Sequence, residues 1–141
     1  MLARFAVTAL LALSLLSGCG YFRRVGECRR LAVRVNGALG EIAAAHDAGG
    51  ATPASHRELA GRYERLARDV EAHSKGDDAL GRTLKEYSLA FDETARSLRT
   101  LADAMEKQDP IAASRLRREM GNLARRDKTL VARIDGLCAE P

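Results

Sequence analysis

The chain contains few aromatic residues and no tryptophan. Aromatic residues make up 4% of its 141 residues. Strands of sandwiches and barrels are enriched in aromatic and β-branched residues, so this composition disfavours both architectures. Ala, Leu, Arg and Glu dominate instead, and all four are good helix formers. The composition therefore predicts an all-α protein.

The motifs of common catalytic and cofactor sites are also missing. The chain contains no Gly-x-Ser-x-Gly nucleophile elbow and no phosphate-binding loop. It lacks the Glu-x-x-His pattern of di-iron bundles. Attached haem needs Cys-x-x-Cys-His, but Arg29-Arg30 follow Cys28 and Ala139-Glu140 follow Cys138. We therefore predict no enzyme activity and no bound cofactor.

Three histidines remain as candidate metal ligands. In the fold expected below, His46 and His56 approach each other, whereas His73 lies near the opposite end. Two ligands do not define a metal site. The expectation is three surface histidines and no metal.

The excess of positive charge is mild, at +4 for the whole chain. Nucleic-acid binders concentrate basic residues on one face or in one run, so we expect no nucleic-acid partner. The last helix carries many basic residues, which point around several of its sides. They form either a solvated surface or, as the alternative, a site for an anionic ligand. These residues are Arg115, Arg117, Arg118, Arg125, Arg126, Lys128 and Arg133.

One apolar run lies near the N-terminus, from Phe5 to Leu16, and Arg4 precedes it. A membrane-spanning helix needs about 20 apolar residues, so this shorter run is more typical of a secretory signal. It ends in Leu16-Ser17-Gly18-Cys19, which resembles the lipobox of bacterial lipoproteins. An ordinary exported protein with a chance cysteine is the alternative.

The resemblance implies that residues 1–18 are removed and that the Cys19 thiol carries a diacylglycerol. Two or more acyl chains give stable membrane anchoring. Gly20 is similar to the following residue of lipoproteins sorted to the outer membrane. The expected location is therefore the bacterial cell envelope, at the outer membrane and facing the periplasm.

Residues 19–24 are expected to form a short acylated tether, and residues 25–138 a single helical domain. Four basic residues lie beside the anchor: Arg23, Arg24, Arg29 and Arg30. Each could add about 1 kcal/mol of attraction to anionic lipid. The membrane is thus the first predicted partner.

Apolar residues recur at spacings of three and four along four segments, which predicts four amphipathic helices. The first runs from about Arg24 to Ala48. Thr52-Pro53 and Asp109-Pro110 give cap-plus-proline starts to the second and fourth. Gly76 is expected to end the second helix, and Asp77 to cap the third. Short connections predict an antiparallel, up-down-up-down four-helix bundle.

Cys28 and Cys138 remain as a pair once Cys19 is assigned to lipid. In an oxidising compartment they are expected to form a disulfide, with free thiols or an intermolecular bond as alternatives. They share one end of the bundle only if the number of helices is even. That end would face the membrane, and the turns at Gly49-Gly50 and Asp109-Pro110 would face the aqueous side.

Asp127 interrupts the apolar face of the fourth helix, either as a solvated flank position or as a buried polar group that fixes register. The leading hypothesis is a non-catalytic envelope module for interaction or scaffolding with an unidentified envelope protein. The alternative is binding of a small apolar or anionic ligand, suggested by the small residues Gly37, Ala38 and Gly40, which more often permit close helix packing. A cavity of several hundred Å³ would favour the ligand, and a filled core the interaction module.

Overall fold

The computed structural model describes the backbone of residues 2–76 and 78–139, and the side chains of residues 25–76 and 78–139. Its four helices are α1 (Leu2–Gly49), α2 (Pro53–Glu71), α3 (Ala79–Glu106) and α4 (Pro110–Ala139). These described residues contain no strand. The predicted all-α, four-helix architecture is confirmed.

Helices α2 and α3 run antiparallel, as the ion pairs between them show. Arg57 near the start of α2 binds Glu106 at the end of α3, and Glu64 further along α2 binds Arg99. The α2–α3 and α3–α4 pairs pack closely, α1 packs less extensively on α2, and α1 barely contacts α4. The bundle is therefore closed on three sides and loosely closed on the fourth.

The predicted starts of α2 and α4 are confirmed by their caps. The Thr52 hydroxyl accepts a hydrogen bond from the Ser55 amide at 3.1 Å, and the Ser55 hydroxyl accepts one from the Thr52 amide at 3.2 Å. This reciprocal pair is a capping box. Asp109 Oδ1 accepts hydrogen bonds from the amides of Ile111 and Ala112, so the free amides at the start of α4 are partly satisfied.

Two predicted boundaries between α2 and α3 are wrong. The N-cap of α3 is Asp78, whose side chain accepts from the Gly81 amide at 2.8 Å; Asp77 lies outside the described residues. The second helix ends at Glu71, before the expected Gly76. Backbone hydrogen bonds of turns follow the last residue of the helix, and the Ser74 hydroxyl donates to the Glu71 carbonyl at 2.7 Å.

The first helix differs from its predicted start, since α1 runs without a break from Leu2 through Arg24 to Gly49. The side chains of residues 1–24 lie outside those described. The lipobox, the tether, Cys19, Arg23 and Arg24 therefore stay predictions. In the part of the chain that was searched, no helix has an apolar stretch long enough to cross a bilayer.

Helix α3 lies at the centre of the core. It contributes thirteen buried residues, including Phe91 and Leu101. In contrast, α4 buries only Ala113, Leu116 and Leu130. Among the described residues of α1, the buried ones are Leu31, Val35 and Ile42. The apolar faces of α1 and α4 are thus only partly covered.

Cys28 and Cys138 meet at the end of the bundle that holds the α2–α3 connection. Their Cα atoms are 6.0 Å apart and their sulfur atoms 2.07 Å apart, at disulfide-bonding distance. This proximity confirms that the two cysteines share one end, as an even number of helices requires. The link joins α1 to α4 where few other contacts do so.

Candidate binding groove

A cavity of about 400 Å³ lies between α1 and α4, next to the disulfide. Leu31 and Val35 of α1 line one side of it, and Ile134 of α4 lines the other. Leu84 and Tyr87 of α3 lie at its base. Helices α1 and α4 make few contacts with each other, so their apolar faces are only partly covered above α3.

A second cavity of about 340 Å³ adjoins the first, and all four helices contribute to it. The two cavities share Leu39, Tyr87, Val131 and Asp135. We call them together the α1–α4 groove. Their volumes fall in the range of about 300–1,000 Å³ that is typical of small-molecule sites.

Three aromatic rings gather at the second cavity, although the chain has few. The ring centroids of Tyr87 and Phe91 are 4.3 Å apart, and those of Tyr63 and Phe91 are 6.0 Å apart. Tyr87 and Phe91 are buried, whereas Tyr63 is half-buried. The groove is therefore apolar and aromatic at its base.

Asp127 brings a carboxyl group into this apolar setting. The residue is half-buried and lines the second cavity, but its Oδ1 atom is wholly buried and has no hydrogen-bond partner among the described residues. A buried acceptor without a partner costs free energy. Burial raises the pKa of Asp127; neighbouring Arg126 opposes that rise, and Glu93 adds to it.

The groove tyrosines are affected by the same surroundings. Burial raises the pKa of Tyr87 to about 12, with smaller contributions from the negative charge of Asp127 and from Tyr63. Burial and Asp127 also raise the pKa of Tyr63. Both hydroxyls therefore stay protonated at neutral pH, and neither donates to Asp127 Oδ1.

Two of the basic residues of α4 lie beside acidic residues of α3. Arg126 lies 2.8 Å from Glu93, and Arg133 lies 2.9 Å from Glu86. These two arginines thus form ion pairs with α3, which favours a solvated, ion-paired surface over a dedicated anion site. Of the predicted membrane-proximal residues, Arg29 and Arg30 are exposed, and Arg29 also lines the groove.

The histidines do not converge. Nδ1 of His56 lies 2.7 Å from the Thr52 carbonyl oxygen, and Nδ1 of His73 lies 2.7 Å from that of Asp69. His46 is largely exposed beside Asp47. Within the searched part of the chain, no three His, Cys, Asp or Glu residues are grouped so that they could hold a metal ion.

The small residues that suggested a ligand site lie elsewhere. Gly37 and Gly40 are exposed, and a Cβ atom added to either would have no neighbour within 4 Å. They therefore neither line the groove nor permit close helix packing. Ala38 is half-buried against the core. The expectation that these residues shape a cavity is wrong.

Sequence reasoning singled out Asp127 but not the aromatic residues around it. One signal was available: Tyr63, Tyr87 and Phe91 are half of the chain's six Tyr and Phe residues. The periodicity did not indicate that the α1–α4 side stays open beside them.

Comparison with known proteins gives no relative: no family model matches the chain, and no curated protein or solved structure matches it significantly.

Proposed function

We propose that this chain is a non-catalytic, lipid-anchored envelope protein that binds a small, mainly apolar molecule in the α1–α4 groove. The main observation that supports the proposal is the groove itself. Its two adjoining cavities are large enough for a small ligand, and aliphatic and aromatic side chains line most of them. This favours ligand binding over the interaction module as the primary role.

The predicted location at the membrane supports the same role. An anchor on Cys19 would hold the disulfide end of α1 near the membrane. The groove begins at that end, because Cys28 and Cys138 line it. Apolar molecules partition into membranes, so the groove would lie close to their source.

Ligand binding can be tested with two valine substitutions on the full chain, reconstituted in phosphatidylcholine nanodiscs. Val131 lines both cavities and is 40% exposed, so Val131→Trp fills the groove without displacing core residues. Val33 is 69% exposed and lines neither cavity, so Val33→Trp is the matched control.

Phenylbutanol is a suitable neutral probe for these variants, with titration calorimetry as the assay and empty nanodiscs as the blank. We expect the wild type and Val33→Trp to bind the probe, and Val131→Trp to lose binding. Equal binding by the two variants would argue against the groove as the site.

A second role, as an interaction module, is favoured by a residue at the opposite end of the bundle. Ile111, in the first turn of α4, is 82% exposed. If the disulfide end faces the membrane, Ile111 faces the aqueous side and is available to an envelope protein. Mild crosslinking in membranes should then capture a partner with the wild type and not with Ile111→Ser.

The predicted lipid anchor can be tested separately by measuring the intact mass of the membrane-extracted protein. A lipoprotein would begin at Cys19 and carry the added mass of its acyl chains. A mass without acyl groups would contradict the lipobox interpretation, whatever the groove binds.

A further inference from the structure

We infer that the α1–α4 groove is specific for amphipathic amines, with the apolar body of the ligand on Tyr63, Tyr87 and Phe91 and its protonated amino group paired with the carboxylate of Asp127. This inference rests on the proposed ligand-binding function and names the class of ligand. It excludes the anionic ligand that the basic residues of α4 suggested.

The first argument is the unsatisfied oxygen. Asp127 Oδ1 has lost its contact with solvent and has no partner among the described residues. Nearly all buried polar atoms in proteins have a hydrogen-bond partner, so the described residues leave this carboxyl group without the pairing that buried acidic groups normally have. The half-buried side chain of Asp127 also lines the second cavity, so a cation bound there would lie beside its carboxyl group.

The second argument is the charge around that oxygen. The guanidinium of Arg126 is occupied by Glu93 at 2.8 Å. Lys128 and Asp135 line the cavity, but both are exposed. On the other helices the lining residues beside Asp127 are uncharged, namely Leu39 of α1, Tyr63 of α2, and Tyr87 and Phe91 of α3. No cation of the described chain bonds to the buried oxygen.

The third argument is the aromatic base of the groove. The faces of aromatic rings carry partial negative charge and attract cations. Tyr87, Phe91 and Tyr63 therefore favour an ammonium group over a carboxylate in the same cavity. Burial raises the pKa of Asp127, and an ammonium partner would favour its ionised form again. The amino group and the Asp127 carboxylate would then form a charge-assisted pair.

The test uses three probes with one apolar body and different head groups: phenylbutylamine, phenylbutanol and phenylbutyrate. They are titrated into the full chain in phosphatidylcholine nanodiscs at neutral pH, against empty nanodiscs. We expect the amine to bind about tenfold or more tightly than the alcohol, as a hydrogen bond to a charged group provides. The acid should bind most weakly.

A pair of Asp→Asn variants identifies the carboxylate responsible. Asp127→Asn keeps the size of the side chain and removes its charge, so the preference for the amine over the alcohol should disappear. Asp69→Asn makes the same change at an exposed position that lines neither cavity, and it should keep the preference. If Asp127→Asn does not fold, the order of affinity of the three probes for the wild type still tests the specificity for amines.

The outcomes separate this inference from the function on which it rests. Equal binding of all three probes, or tightest binding of the acid, overturns the amine specificity and leaves an apolar binding protein. An amine preference that persists in Asp127→Asn overturns the role of Asp127. Binding of none of the three probes overturns both proposals.

Discussion

Removing the link between Cys28 and Cys138 should release α1 from the bundle. The double variant Cys28→Ser, Cys138→Ser makes this change without a reductant. Among the described residues, α1 buries only Leu31, Val35 and Ile42, whereas α3 buries thirteen residues. Without the link, α1 would be held by few contacts and by the short turn into α2.

The size of the effect follows from the loop that the link closes. Cys28 and Cys138 are 110 residues apart in sequence. The chain-entropy model assigns such a loop about 5 kcal/mol of stabilisation at room temperature. If unfolding is two-state, the free energy of unfolding in urea should fall by about that amount. That is a large part of the total stability of an ordinary domain.

Hydrogen exchange read by mass spectrometry distinguishes global from local loosening. Peptides from residues 29–45 of α1 should lose the most protection in the double variant, while peptides from the centre of α3 should lose protection only in line with the fall in global stability. The wild type with a thiol reductant should behave in the same way, and the reductant should not affect the double variant. A loss of stability below about 1 kcal/mol with unchanged α1 exchange would refute the reasoning.

Three further changes can be followed by urea denaturation. Gly81→Ala should destabilise the protein by about 2 kcal/mol or more, because the added Cβ would lie 2.0 Å from the Gly76 carbonyl oxygen. The control Gly121→Ala adds a Cβ in open space and should be neutral or stabilising. Equal effects of the two substitutions would contradict the predicted clash at Gly81. Thr52→Ala removes the capping-box acceptor of α2 and should cost about 1 kcal/mol; no loss would show that the cap is dispensable. The folded-state pKa of Asp127 is raised above its ordinary 3.8, so its ionisation lowers stability as the pH rises through that folded pKa. Asp127→Asn should therefore gain stability relative to the wild type as the pH rises above about 4. The opposite trend would contradict the raised pKa.

The sequence was sufficient to predict the number of helices and their order. Cap-plus-proline pairs at Thr52 and Asp109 located two helix starts because these signals are local and chemically specific. The Cys28–Cys138 pair was predictable by counting cysteines, and its geometry then required an even number of helices. These inferences needed no knowledge of how tightly the helices pack.

Boundaries without such a signal were less predictable. Asp77 and Asp78 are adjacent residues of the same type, so the sequence could not decide which one caps α3. Gly76 suggested a helix end, but α2 ends at Glu71, where backbone turns and the Ser74 hydroxyl satisfy some of its carbonyls. Several endings of similar energy compete at such a position, and tertiary contacts choose among them.

The groove was not predictable from periodicity. The spacing of apolar residues identifies which face of α4 is apolar, but the distance from that face to α1 depends on how all four helices pack. Asp127 was noticed because it interrupts the apolar face. Its two interpretations, solvated or buried, are both partly correct: the residue is half-buried, and one of its oxygen atoms is wholly buried.

The long sequence separation of the two linked cysteines also has a kinetic consequence. At about 5 to 20 residues per second, the 110 residues between Cys28 and Cys138 take roughly 5 to 20 s to synthesise. If the chain is exported as it is synthesised, Cys28 has no native partner in the oxidising compartment throughout that interval, and Cys19 is the nearest thiol along the chain. Acylation of Cys19, as the lipobox predicts, would remove that competitor and leave Cys28 free for Cys138.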